Sequence, residues 1–216
     1  GKVSQSTEES ITDSGVIELA VQKSMLNPNL TGDFSKVCIL PTINGRHPDL
    51  MTVTPETISN LLQEQESFAY KIIDCRYPYE FLGGHIKNAV NIYHKEDAET
   101  ELLSHFLNSG KKEKGSILIF YCEFSSERAP NMIRFLRGKD RDINKDCYPF
   151  LYYPELYLIE GGYKAFYSSF KGLCDPQEYK TMLDKDCTHD LSFYRSRCKS
   201  YSRKSKRRRV RSSLIF

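Results

Sequence analysis

A parallel α/β sheet is the fold that this 216-residue chain predicts. Two observations carry it. Short apolar runs recur that suit strands buried on both faces but are too brief for helices, and segments of helical periodicity alternate with them. Composition agrees: 39% of the residues are hydrophobic and 27% charged, enough apolar material for one sizeable core at this length. No run approaches 18 apolar residues and no leader pattern opens the chain, so neither a membrane span nor a secretory signal is expected.

Taken in order, residues 1–30 are rich in Ser, Thr, Glu and Asn and read as a flexible lead-in holding a short helix around 16–25. Thr54 can cap a helix with Pro55 in its first turn, and Ile58, Leu61 and Leu62 give it an apolar face. YKIID (70–74) is a strand; a helical turn at 78–82 ends at Gly83-Gly84; residues 89–92 form another short strand. A helix over 96–107 and a charged loop at 111–115 lead to the strongest strand, SILIFY (116–121). After the segment CEFSSER come a helix from about 128 to 139, a strand LYLI (156–159) closed by Gly161-Gly162, and a helix over 163–170.

Charge is unevenly placed. Residues 195–216 hold ten basic residues and no acid, which leaves 21 of the 31 basic residues to set against all 28 acidic ones, a net of −7 for the preceding body. The sequence thus reads as 1–30 lead-in, 31–190 catalytic domain and 191–216 basic tail. Within the tail KSKRRRVR suits nuclear import, so nucleus and cytoplasm are the expected locations. Seven cysteines with no CxxC fit neither a zinc site nor a disulfide framework, and reduced thiols are expected.

Chemistry is expected where Cys122 and Arg128 end a seven-residue loop between the strongest strand and a helix. With seven Cys and 13 Arg, chance alone gives roughly 0.4 pairs at this spacing, so context decides. The context is the C-terminal end of a parallel strand, where a following helix presents free N–H groups to an anion. A loop through Glu123, Phe124, Ser125, Ser126 and Glu127 can wrap a phosphate, with Arg128 closing the cradle by a two-pronged grip. The same field is expected to turn Cys122 into a thiolate able to form a phosphocysteine, while Glu123 or Glu127 is the local candidate for protonating the leaving oxygen.

These residues carry a resemblance. FYCEFSSER resembles the signature of the M-phase inducer phosphatases, dual-specificity enzymes that remove inhibitory phosphates from a Thr-Tyr pair on cyclin-dependent kinases. The likeness extends through DFSKVCILPT (33–42), IIDCRYPYEFLGGHI (72–86), RFLRGKDRDIN (134–144), LYYPELYLIEGGYKAF (151–166) and CDPQEY (174–179). It implies a rhodanese-like fold with a central sheet of about five parallel strands and helices on both faces. It implies Cys122 as nucleophile, Arg128 as phosphate-binding arginine and Cys75 as a back-door thiol that forms a disulfide with the nucleophile and shields it from over-oxidation. Asp74, Arg76 and Glu80 look like a structural ionic network. Arg137, Arg141 and Tyr148 match the family's remote kinase-docking surface. The implied partner is a phosphorylated cyclin-dependent kinase with its cyclin, met by a monomer that needs no metal or other cofactor and contacts neither specific nucleic acid nor membrane.

Three positions depart from the family pattern. Tyr121 stands where the family has His, Ala129 follows Arg128 in place of Gly, and Asn131 stands where the family offers another Arg to a second phosphate. These departures motivate the alternative reading, a weakened or inactive phosphatase that binds kinase without turnover. Sulfur transfer on the same fold is disfavoured, because rhodaneses usually use a six-residue loop and this one has seven.

Overall fold

The computed structural model describes residues 13–213. Their elements are α1 (Asp13–Leu26), β1 (Met51–Val53), α2 (Pro55–Gln63), β2 (Tyr70–Asp74), α3 (Pro78–Leu82), β3 (His85–Ile86), β4 (Val90–Asn91), α4 (Lys95–Ala98), α5 (Ser104–Ser109), β5 (Ile117–Tyr121), α6 (Arg128–Ile143), β6 (Leu156–Ile159), α7 (Gly162–Phe170), β7 (Cys174–Asp175) and α8 (Thr188–Ser213). Five strands make one sheet in the order β1-β6-β5-β2-β4, every pairing parallel. The two-residue strands β3 and β7 form a separate antiparallel pair. The expected sheet and its strand number are therefore present, with helices on both faces.

Period-2 alternation along the strands divides the core. Leu118, Phe120 and Cys122 face one side, where α6 contributes Ala129, Met132, Ile133 and Leu136 and the 95–109 helices contribute Ala98, Leu102, Leu103 and Phe106. Ile117, Ile119 and Tyr121 face the other, against Ile58 and Leu61 of α2 and Tyr163 and Phe166 of α7. All five residues of β5 are buried, as a central strand covered on both faces requires. Thr54 caps α2 by accepting the Thr57 amide, with Pro55 at the first helical position.

Three local features differ from the sequence expectation. β1 hides in an unremarkable stretch because it is a three-residue edge strand whose pairing to β6 supplies the order its own pattern lacks. The helix expected over 96–107 contains a π-helical segment, Glu99–Leu103, between α4 and α5. The wider turn brings the consecutive Leu102 and Leu103 into the core together, which an unbroken α-helix spaces 100° apart.

The third difference concerns the chain ends. Residues 1–12 of the expected flexible lead-in lie outside the described residues, and 13–26 form α1. The basic stretch read as a tail is helix α8, and its first turns belong to the body. Leu191, Tyr194 and Cys198, at i, i+3 and i+7, lie on one face of α8 and pack into a cluster with Tyr77, Tyr79 and Cys187.

Leu136 is fully buried between α6 and the sheet. Leu136→Ala should lower the unfolding free energy by about 2–5 kcal/mol through lost transfer energy and a residual cavity, measured by urea denaturation.

Candidate active site

The loop 122–128 leaves the C-terminal end of β5 and is held from outside. The amides of Tyr163 and Lys164, at the start of α7, donate to the carbonyls of Cys122 (2.8 Å) and Glu123 (3.0 Å). Both bonds tie the start of the loop to α7. Among the described residues, none of the six amides of residues 123–128 donates to a protein group. Amides without a protein partner among the described residues, at the N-terminus of the 16-residue helix α6, can offer donors to an anion, reinforced by the helix dipole. Ser125 at the loop's centre has a left-handed backbone (φ 52°), and its buried hydroxyl likewise meets no protein partner.

Close approach of α7 to the loop depends on glycine. Gly162 has φ +62°, and a Cβ there would lie 2.4 Å from the Cys122 carbonyl oxygen, 2.7 Å from that of Glu123 and 2.8 Å from the Ser125 nitrogen. No side chain fits.

Arg128 closes the receptor. Its Nη1 and Nη2 donate to the two oxygens of Glu80 at 2.5 and 2.9 Å, a two-pronged pair with a carboxylate that is fully buried. Burial opposes the arginine's charge, yet the hydrogen bonds and charge of Glu80 outweigh it and keep Arg128 firmly protonated. Glu80 is fixed in turn, because its Oε2 also accepts the Tyr77 amide at the start of α3. The Arg128 guanidinium stands 5.1 Å from the centre of the Tyr77 ring. Sequence reading placed Glu80 in a structural network; the structure makes it the residue that aims Arg128.

Of the other acids, Glu123 is spent on the fold. It is buried, accepts the Tyr179 hydroxyl at 2.8 Å and the Met182 amide at 3.3 Å, and lies 3.9 Å from Arg128. That arrangement corrects the expectation of Glu123 as proton donor, since both its oxygens already serve as acceptors for groups behind the loop. Glu127 is exposed at the rim, and so is Phe124 at the loop's apex; Ser126 is half-buried.

Cys122 itself is 3% exposed, on the same face as Cys75. Asp74 and Tyr121 are register partners on adjacent parallel strands, and the Cys75 amide donates to the Tyr121 carbonyl at 2.8 Å. The two cysteines are thus one step past a matched pair, and neighbouring strands run about 4.8 Å apart, within disulfide reach. Both are free thiols here. Burial first, then the neighbouring Cys122, push the Cys75 thiol well up.

Tyr121 does not share the face of Cys122. Alternation along β5 sends its ring to the opposite face, where its hydroxyl accepts the Ile86 amide at 3.2 Å. Burial, followed by the charge of Asp74, keeps it a neutral phenol. Beside it the fully buried Arg76 binds both oxygens of Asp74 and the Gly84 carbonyl, with its guanidinium 4.0 Å from the centre of the Tyr163 ring. Tyr121 completes this back-side network and leaves Cys122 alone. Ala129, in the first turn of α6, is buried against the sheet, and Asn131 is exposed on the rim of a cleft of about 210 Å³ beside Arg128.

The residues expected to dock a kinase are largely committed within the chain. Arg137 donates to the carbonyls of Tyr153 (2.6 Å) and Pro154 (3.1 Å), and burial pulls it down to about 10. Arg141 donates to the carbonyls of Pro149 and Gly32 and sits 5.1 Å from the centre of the Tyr148 ring. The resemblance matches both to a kinase-docking surface. They are staples between α6 and the 149–154 segment, and Tyr148 is the exposed member of the set.

Comparison with known proteins follows the same lines. The rhodanese-like domain family matches residues 54–169. The M-phase inducer phosphatase of Drosophila melanogaster is 44% identical over 204 residues, covering 89% of this chain and 43% of that protein. M-phase inducer phosphatase 1-B of Xenopus laevis is 48% identical over 182 residues, covering 83% of this chain and 33% of that protein. The chain thus spans a third to two-fifths of the length of these curated relatives. Among solved structures, the As-Sb reductase of Leishmania major is 24% identical, with a TM-score of 0.44 over 57% of this chain and 83% of that one.

Gly162→Ala should force α7 and the loop apart. Binding of inorganic phosphate, followed by isothermal calorimetry, is expected to weaken by at least about tenfold while the far-UV circular dichroism remains that of the parent.

Proposed function

The chain belongs to the rhodanese-like domain family, and from that premise we propose that it is the catalytic unit of a cysteine-based, dual-specificity protein phosphatase. The single observation behind this reading is the receptor of six unpaired amides around Cys122, closed by an arginine whose aim is fixed by Glu80. Such a receptor suits a tetrahedral dianion. A buried thiol at its floor suits in-line attack on phosphorus.

In the proposed reaction the Cys122 thiolate attacks phosphorus, the S–P bond forms and the bond to the leaving oxygen breaks. Amides and Arg128 take up the charge on the equatorial oxygens as it develops. The leaving oxygen gains a proton, and Glu127 is the acid at the rim that the fold leaves unencumbered. Water then cleaves the phosphocysteine, releasing phosphate and restoring the thiolate. Similarity to the M-phase inducer phosphatases supports adjacent phosphothreonine and phosphotyrosine on a cyclin-dependent kinase as the substrate, with promotion of mitosis as the outcome.

Cys75 is the proposed redox guard. Peroxide converts the Cys122 thiolate to a sulfenic acid; the Cys75 thiol attacks that sulfur, the S–S bond forms and water leaves. Burial holds Cys75 as a neutral thiol, so it does not compete for phosphate in the resting enzyme.

Two measurements test the reading. Wild-type chain should hydrolyse an aryl phosphate and a kinase peptide phosphorylated on adjacent Thr and Tyr, and Cys122→Ser should lose at least about 10³-fold in kcat; equal rates in the two proteins would refute the catalysis, and tight peptide binding without turnover would establish a binding module. After brief peroxide treatment, dithiothreitol should restore activity to the wild type but not to Cys75→Ser, whose Cys122 should carry sulfinic acid by mass spectrometry.

A further inference from the structure

We propose that Tyr194 of α8 is a positioning residue for Arg128, acting through the ring of Tyr77. Arg128 is held from two directions. Glu80 grips its guanidinium edge, and the Tyr77 ring lies beneath it at 5.1 Å. The first support is locked by α3, since the oxygen that binds Arg128 also accepts the Tyr77 amide. The second depends on packing, because the Tyr77 side chain borders the cleft beside Arg128 and its hydroxyl makes no hydrogen bond among the described residues.

Packing holds the Tyr77 ring: Tyr79, whose hydroxyl donates to the Met182 carbonyl at 2.6 Å, lies 6.1 Å from it on one side, and Tyr194 stacks on it. The stacked rings of Tyr194 and Tyr77 have centroids 5.7 Å apart and planes 16° from parallel. Tyr93 meets both rings edge-on, at 5.9 Å to Tyr77 and 5.2 Å to Tyr194, so the three fix one another. The position of α8 is set independently of Arg128. Arg197 donates to Asp97 at 3.2 Å and to the Tyr93 hydroxyl, and Leu191 and Cys187 bury the helix start. A chain of contacts thus runs from α8 through Tyr194 and Tyr77 to the guanidinium that meets phosphate. The helix that the sequence presents as a charged tail is part of the apparatus that aims the active-site arginine.

The proposal rests on the phosphate-binding role of Arg128 given above. Its test uses the full chain, with inorganic phosphate binding by calorimetry and aryl phosphate kinetics side by side. Tyr194→Leu keeps apolar bulk and helix propensity while removing the stacked ring; it should raise the phosphate Kd and lower kcat/KM about tenfold each. Tyr194→Phe restores the ring and should restore both values to within about twofold, because the Tyr194 hydroxyl makes no hydrogen bond among the described residues. A lowered melting temperature for Tyr194→Leu with an unchanged phosphate Kd would mean that the residue only supports the fold, and would overturn the proposal. Equal loss in Tyr194→Phe would overturn it as well. Phosphate binding without aryl phosphate turnover by the wild type would sink the catalytic reading and leave the Tyr194 comparison standing; absence of phosphate binding by the wild type would sink both.

Discussion

Everything at this site depends on a backbone segment turned the unfavourable way round. Buried peptide N–H groups without partners cost free energy, and among the described residues the six amides after Cys122 find no protein acceptor. The segment holds this shape because α7 binds its carbonyls from behind, because Gly162 lets α7 come close enough to do so, and because Ser125 accepts a left-handed backbone. An anion supplies what the loop lacks. Strain and receptor are the same feature, and the surrounding α/β layers serve to keep it from relaxing.

Two buried ion pairs divide the labour of holding charge inside the fold. Asp74–Arg76 lies behind the sheet end, closed off by Tyr121 and Tyr163, with Arg76 Nη2 also donating to the Gly84 carbonyl. Glu80–Arg128 lies in front and is satisfied on the glutamate side by a backbone amide. Removing one partner of such a pair costs about 3–5 kcal/mol, far more than an exposed pair contributes. The difference lies in access: Arg76 has none, whereas Arg128 keeps 23% of its side chain open to an incoming anion. One pair is architecture; the other is architecture facing a substrate.

The layered fold was legible because its signals are local. YKIID, LYLI and the Thr54-Pro55 start coincide with β2, β6 and α2, and Gly83-Gly84 ends α3. Cys122 and Arg128 were legible because the loop that joins them is contiguous. What escaped was non-local. That Glu80 would aim Arg128 across 48 residues, that Glu123 would be consumed by Tyr179, and that Arg137 and Arg141 would be consumed by backbone carbonyls are properties of packing. The start of α8 escaped for another reason. Ten positive charges mask an i, i+3, i+7 stripe of Leu191, Tyr194 and Cys198, so overall polarity hid the face that docks.

The alternation along β5 also governs how the chain can change. Cys122 and Tyr121 are neighbours by one peptide bond, yet they answer to separate surroundings. The Tyr121 side chain meets Ile86, Asp74, Arg76 and Tyr163, tens of residues away, on the face opposite Cys122. A side chain at 121 must therefore suit partners across the sheet, whereas one at 122 must suit the core beneath α6. On this sheet, one peptide bond separates two sets of packing demands.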